Sequence, residues 1–338
     1  MKVGVGISGG VDSAVSAMLL KAEGCEVVGY TMCLGRAGEE KSLAEAKSVA
    51  DWLGIPLVSI DCAAEWREKV CAYLRNTYLA GRTPNPCVRC NETVKFNVLP
   101  KAAFADGCDR FATGHYARIS TDESGRVLLR RGADPKKDQS YFLYRVSRET
   151  LARTIFPLGT MSKEAVRQMA REAGFPVAEK GDSQDFCGGD PMEIVGTEDC
   201  AGNIIDTSGR ILGRHNGFWH FTPGKRKGLG IGGGIPYYVV RLDAERNEVV
   251  VAFKEEAVVK EFRLADEAWL ADAQCVRDAQ KSGAFLVKVR SAGEPKGPVE
   301  LEGSVVRCAE GLVGVAPGQS AVFYHGDTVL GGGLISAT

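Results

Sequence analysis

The segment Val3-Gly4-Val5-Gly6-Ile7-Ser8-Gly9-Gly10-Val11-Asp12-Ser13-Ala14-Val15 reads as three pieces in succession: a strand, a glycine and serine turn, and the start of a helix. Val3 to Ile7 is an apolar run of strand length. Ala14, Val15, Ala17, Met18, Leu19 and Leu20 continue with the apolar pattern of a helix, and Gly24 stops it. Between them, the backbone N–H groups of the turn and of the helix N-terminus converge on one point, which makes an anion hole. Gly9 and Gly10 let the main chain approach an oxyanion closely, and Ser8 and Ser13 offer hydroxyl donors. Asp12 is expected to hold Mg²⁺ or to cap the helix. The spacing is neither G-x-x-x-x-G-K-[ST] nor G-x-G-x-x-G, which disfavours a kinase or a dehydrogenase and leaves pyrophosphate as the expected guest.

Working outward, strands at Glu26 to Met32 and Leu57 to Cys62 alternate with helices at Leu43 to Leu53 and Trp66 to Leu79. Such alternation implies βαβ crossovers and a parallel, doubly wound sheet with ligands at the carboxyl ends of its strands. Thr83-Pro84-Asn85-Pro86 interrupts the pattern and predicts an exposed, stiff loop, since proline fixes its own φ and restricts its predecessor. A helix at Glu92 to Ala105, a strand at Arg110 to Thr113 and a helix at Ser162 to Ala173 follow. From Asn203 the texture is short strands separated by turn signals. The expected organisation is an α/β domain over residues 1–190, a small central domain over 191–250 and a C-terminal β-barrel-like domain over 251–338.

With 338 residues, 44% hydrophobic and 25% charged, the chain has the composition of a multidomain globular protein. Its net charge of -1 means that a polyanion must bind a local basic patch, such as Lys225-Arg226-Lys227, rather than a globally basic surface. No apolar run approaches the ~20 residues of a membrane span, and the opening residues read as a strand rather than a signal peptide, so a cytoplasmic protein without a membrane partner is expected. Eleven scattered cysteines do not form the framework of a small secreted domain. Two of them, Cys87 and Cys90, follow the proline loop and are expected on one loop, within reach of a third thiol such as Cys187. Packing is the expected role of the other eight, Cys25, Cys33, Cys62, Cys71, Cys108, Cys200, Cys275 and Cys308.

Ser8 to Ser13 resembles the pyrophosphate-loop (PP-loop) signature of the ATP pyrophosphatase superfamily, whose members adenylate an oxygen of their substrate. Five further stretches, Thr83-Pro84-Asn85-Pro86-Cys87-Val88-Arg89-Cys90-Asn91, Thr113 to Arg118, Lys137-Asp138-Gln139-Ser140-Tyr141-Phe142-Leu143, Asp182-Ser183-Gln184 and Lys225 to Gly232, resemble in order the motifs of the tRNA-specific 2-thiouridylases. That resemblance covers essentially the whole chain, and it implies ATP-dependent 2-thiolation of the wobble uridine of tRNA on a PP-loop domain. It assigns Gly6, Ile7, Ser8, Gly9, Gly10, Val11, Asp12, Ser13, Met32 and Gly114 to ATP, bound with Mg²⁺. Cys90 takes the family's nucleophile position and Cys187 the persulfide position. Asn85, Pro86 and Cys87 frame the wobble base, His115 contacts substrate, Lys137 meets a phosphate, and Asp138 with Gln139 positions the tRNA. Arg290 and Gln319 match positions that touch tRNA. The implied partners are a tRNA with a wobble uridine and a persulfide-donating relay protein or desulfurase.

Three departures from the family pattern stand out. Cys87 replaces a usual Asp, so Cys87, Cys90 and Cys187 together form a possible [4Fe–4S] ligand set, an alternative to the persulfide route. Gly188 stands where Phe is usual, and Lys225 where Gln is usual. Two other readings compete: a different ATP pyrophosphatase-type synthetase, which has no use for Cys90 and Cys187, and an RNA-binding module with a zinc-stabilised loop, which leaves the phosphate turn unexplained.

Overall fold

The computed structural model describes residues 1–175, 177–178, 181, 190–232 and 234–337. The chain divides into two compact units, one comprising Met1–Val70, Cys87–Gly189 and Asp327–Val329, the other Cys71–Pro86, Asp190–Gly326 and Leu330–Thr338.

The first unit is built on β1 (Lys2–Gly6), α1 (Val11–Ala22), β2 (Glu26–Cys33), α2 (Glu39–Leu53), β3 (Leu57–Asp61) and β4 (Arg110–Ala112). A hairpin, β5 (Ala117–Thr121) and β6 (Val127–Arg131), precedes β7 (Thr154–Ile155). The sheet order is β3-β2-β1-β4-β7 and every pairing in it is parallel. Strand order therefore reverses beside β1, and the crevice at the carboxyl ends of β1 and β4 is the switch point where such sheets receive ligands. Val3, Val5 and Ile7 are fully or almost fully buried with Val11, Ala14, Val15 and Leu20 of the α1 segment. On the opposite face, a Cβ at Gly4 would lie 2.7 Å from Ala103 Cβ, so this glycine admits the helix Val98–Ala105 against the sheet.

The second unit holds two sheets. Strands Tyr238–Asp243, Glu248–Ala252, Gly202–Asp206 and Ile211–His215 lie side by side in that order, over a core that includes Phe218, Trp219 and Phe221. The other runs Phe285–Lys288, Ser320–His325, Thr328–Ala337, Val258–Trp269, Val305–Val313, Glu300–Glu302. Val299 N–H donates to Phe285 O at 2.9 Å and Val287 exchanges hydrogen bonds with Lys296, which returns the last strand to the first and closes the barrel. Phe323 is wholly buried at its centre, stacked on Phe285 (4.9 Å) and Trp269 (5.5 Å).

Several sequence expectations change. The proline loop is buried rather than exposed: Thr83 and Asn85 retain 5% and 7% of their surface. Pro86 opens a helix, Pro86–Cys90, because proline suits the first helical turn, where its missing N–H has no partner to lose. Cys87 and Cys90 therefore lie on that helix and not on a loop. The helix expected from Glu92 to Ala105 is interrupted: a π-helical stretch, Asn91–Lys95, ends at Phe96, and a separate helix begins at Val98. The turn at Trp66–Cys71 is likewise π-helical within the longer helical run. The hairpin β5–β6 and the short β7 were not foreseen, the latter being only two residues long.

Truncating Phe323 to Ala is expected to destabilise the protein by about 3–5 kcal/mol, the usual cost of deleting a fully buried aromatic. Denaturant unfolding followed through the tryptophan beside it, Trp269, measures this, and a loss below about 1 kcal/mol would contradict a packed barrel core.

Candidate functional site

Around the Ser8–Ser13 turn, Gly9 has φ +72° and a Cβ there would meet Glu45 Cβ at 2.7 Å, so both conformation and space require glycine. Ile7, itself buried, donates its N–H to Tyr30 O at 2.8 Å and delivers the chain into the turn. Ser13 Oγ donates to Gly10 O (3.0 Å), accepts from Ser8 N–H (3.2 Å) and lies 3.3 Å from Ser8 Oγ. Gly10 is the N-cap of α1 and no side chain caps it, so Asp12 does not act as a helix cap. Its carboxylate instead accepts from Tyr116 Oη at 2.8 Å, and Lys163 Nζ lies 2.8 Å from both oxygens.

Gly114 closes the arrangement from the end of β4. A Cβ on it would lie 2.8 Å from Asp12 C and 2.9 Å from Ser13 N, so only glycine lets this segment rest on the first turn of α1. Gly6, the last residue of β1, has ordinary clearance, 3.5 Å to Phe111. Val11 is buried and Met32, near the end of β2, is half-buried.

Sequence reading missed Lys163 and Tyr116. A signal was present: Ser162 accepts from Ala165 N–H as an N-cap, which puts Lys163 at the first helical position. A cation there opposes the helix dipole unless a carboxylate faces it. Lys163 retains only 8% of its side-chain surface, and Asp12 is that carboxylate.

His115 is buried, with Nδ1 2.8 Å from Thr113 Oγ1 and its ring beside Phe96 (5.4 Å) and Phe156 (6.1 Å). Burial, reinforced by the positive charge of Lys95, holds its imidazole well below the usual 6.5. Asp138 is buried and accepts from the N–H groups of Gly132 and Ser140 (each 3.1 Å) and from Arg131 Nε (3.1 Å). Gln139 Oε1 accepts from Tyr116 N–H (3.0 Å) while its own N–H donates to Tyr116 O (2.9 Å). Both side chains thus order the segment that presents Tyr116 to Asp12. Lys137 is half-buried.

Cys90 is buried and Cys87 is half-buried, three residues apart on one helical turn. That turn is tied to the next segment: Asn91 Nδ2 donates to Phe142 O (3.2 Å), and Glu92 pairs with Arg89 (2.8 Å) and Arg145 (2.9 Å). The helix begins at Pro86 and continues into the π-helical Asn91–Lys95, so Cys90 lies within a helical run and not at a helix start. Cys187 and Asp182-Ser183-Gln184 lie outside the described residues, and among those described no group of three ligating side chains is arranged for a metal ion. Burial and nearby carboxylates push the Cys62 thiol up to about 12, as suits a packing cysteine. Cys200 departs from the packing expectation, being exposed.

In the second unit, Arg290 is exposed just beyond the strand Phe285–Lys288. Gln319 is half-buried, and its Nε2 donates to Pro84 O at 2.8 Å. Lys225, Arg226 and Lys227 are exposed. A cavity of about 390 Å³ beside the strand Ile211–His215 is walled by Ile211, Ile235, Tyr237 and Phe253, and the end of the Lys225 to Gly232 stretch, Ile231 and Gly232, also lines it.

An open parallel sheet with a glycine and serine anion turn at its switch point, followed by two β modules, defines a doubly wound phosphate-loop protein. Family comparison agrees with these modules: residues 1–188 match the tRNA methyl transferase HUP domain, 193–253 the tRNA methyl transferase PRC-barrel domain and 259–335 the Aminomethyltransferase beta-barrel domain. The tRNA-specific 2-thiouridylase MnmA of Endomicrobium trichonymphae is 44% identical over 99% of both chains. That of Trichormus variabilis is 43% identical over 99% of this chain and 98% of its own. Among solved structures, a 4-thiouridine synthetase in complex with RNA and ATP aligns at a TM-score of 0.40 with 18% identity, covering 55% of this chain and 44% of the other. The chain belongs to the family of tRNA-specific 2-thiouridylases. Among the described residues, no helix is long and apolar enough to cross a membrane.

Because His115 is held neutral when folded, the unfolded chain binds more protons below pH 6.5, and stability falls as pH drops through that range. In His115→Gln, which keeps a polar atom for Thr113, the decline in melting temperature between about pH 6.5 and pH 5 is expected to flatten. An unchanged pH profile would contradict a buried neutral imidazole.

Proposed function

We propose that this chain catalyses ATP-dependent 2-thiolation of the wobble uridine, position 34, of tRNA. The observation that carries the proposal is the combination, in one unit of a chain 44% identical to a 2-thiouridylase, of an anion turn at the sheet switch point with the thiol pair Cys87 and Cys90 on one helical turn. Gly9, Gly10, Ser8 and Ser13 receive the pyrophosphate of ATP, with Gly6, Ile7 and Val11 shaping the turn and Met32 and Gly114 lining the nucleotide at the same sheet edge. Lys163, paired with Asp12, supplies positive charge beside that turn. Mg²⁺, bound with ATP, would offset the charge of the departing pyrophosphate, and Asp12, which pairs here with Lys163 and Tyr116, is the carboxylate beside that turn that would hold it.

The chemistry proceeds in three steps. The uridine O2 attacks the α-phosphorus and pyrophosphate departs, which turns an inert carbonyl oxygen into a leaving group. The terminal sulfur of a persulfide on Cys187 attacks C2, and AMP leaves with the former O2. The Cys90 thiolate then attacks the Cys187 sulfur, forming a Cys90–Cys187 disulfide and releasing the thiouridine sulfur; an external thiol reductant restores both cysteines. A persulfide-donating relay protein or desulfurase loads Cys187. The wobble base leaves its stack to enter a frame made by Asn85, Pro86 and Cys87. His115, Lys137, Asp138, Gln139 and Arg290 take substrate-side roles, for Asp138 and Gln139 through the segment they order.

Single-turnover thiolation of a wobble-uridine tRNA with ATP and a persulfide donor tests this. Cys90→Ser and Cys187→Ser are each expected to lose roughly a thousandfold or more of thiolation, while Cys90→Ser still releases pyrophosphate. Asp12→Ala and Lys163→Met are expected to suppress AMP formation with tRNA affinity nearly unchanged. Full activity of Cys187→Ser overturns the persulfide route. If activity instead requires reconstituted iron and is lost in Cys87→Ser, the three-cysteine iron–sulfur route replaces it.

A further inference from the structure

The segment ahead of Cys87 contains two prolines, so of Thr83-Pro84-Asn85-Pro86 only Thr83 and Asn85 carry backbone donors. Both donors are committed within the second unit. Thr83 N–H donates to Pro317 O at 2.8 Å, and Asn85 N–H donates to Tyr73 Oη at 3.1 Å. Tyr73 Oη in turn lies 3.4 Å from Gly318 O, to which it donates. Gln319 adds the link to the carbonyl between them, Nε2 to Pro84 O at 2.8 Å. The barrel turn that makes these contacts is itself fixed, Gly318 N–H donating to Ile335 O (2.7 Å) and Ile335 N–H to Gln319 O (2.8 Å). Gly318 has φ +93°, and a Cβ there would lie 2.8 Å from Thr83 O, so the two segments touch backbone to backbone.

We infer that Gln319 is a positioning residue: its amide latches Pro84 and so sets Asn85 and Pro86. The inference rests on the proposal above that Asn85 and Pro86 frame the wobble base. A side-chain amide suits this task, because a proline-bounded segment cannot pair as a strand and its carbonyl needs a donor from elsewhere. The Tyr73 hydroxyl acts with it, holding Asn85 from the helix Ala72–Leu79.

The test compares wild type with Gln319→Ala, the near-isosteric Gln319→Glu, which loses the donor, and Tyr73→Phe. Under single-turnover and steady-state thiolation the variants are expected to show kcat lower by roughly ten- to a hundredfold, with tRNA KM within about twofold, as befits a misplaced reacting base. Amide hydrogen exchange at Thr83 and Asn85, measured on the free protein, is expected to accelerate in all three. Unchanged kcat and unchanged exchange in Gln319→Glu, with or without a raised tRNA KM, would overturn the latch. Should Gln319→Ala fail to fold, Gln319→Glu and Tyr73→Phe give the same readouts. The exchange measurement needs neither ATP nor tRNA, so a wild-type protein without thiolation activity would count against the proposed function while leaving the latch to be decided by exchange.

Discussion

The contact on which the nucleotide side depends is the approach of Gly114 to the first turn of α1. A Cβ on Gly114 would lie 2.8 Å from the Asp12 carbonyl carbon, so no side chain fits between the segment after β4 and the start of the helix. That approach makes one edge from two strands that are far apart in sequence. Once it is made, Tyr116, two residues on, reaches the Asp12 carboxylate, and Asp138 with Gln139 holds Tyr116 in place. Lys163 completes the set from the start of another helix. The mostly buried ammonium is sustained there because the partly exposed carboxylate offsets part of its desolvation.

A second constraint comes from the prolines. Pro84 and Pro86 remove two donors from one short segment, so it cannot pair as a regular strand and has to be held by side chains and by a turn of the barrel. This places residues 71–86 in the second unit although the residues on either side belong to the first. The chain thus leaves the α/β unit and returns to it immediately before Cys87, and the helix carrying both thiols starts at the point of return. The ion pairs of Glu92 and the Asn91 amide then tie that helix to residues 142–145 within the first unit.

Much of this is legible in the amino-acid sequence. The strand, turn and helix of residues 3–20, the parallel order of the first strands and the β character after Asn203 follow from apolar periodicity and glycine placement, which are local properties. The anion turn was legible for the same reason, as was Gly9 as a position of close approach, whereas the close approach of Gly114 depends on a partner about a hundred residues away. Less visible was everything that depends on partners distant in sequence. The proline loop looked exposed because its composition is that of a surface loop, yet Tyr73 and the Pro317–Gln319 turn bury it. The sequence leaves open whether Asp12 caps its helix, because its place there allows it, and the partners it has instead, Tyr116 and Lys163, lie 104 and 151 residues away.

The sequence by itself determined the fold class, the phosphate turn and the chemical type of the site, since these rest on backbone freedom at glycine, on fixed φ at proline and on the presence of thiols. The tertiary structure alone decided which side chains are already committed to one another: Asp12 to Lys163 and Tyr116, Asp138 to Arg131, Gln319 to Pro84. Hydrogen bonds of side chains depend on distances of a few tenths of an ångström between residues 7 to 235 positions apart, and no local pattern encodes that separation.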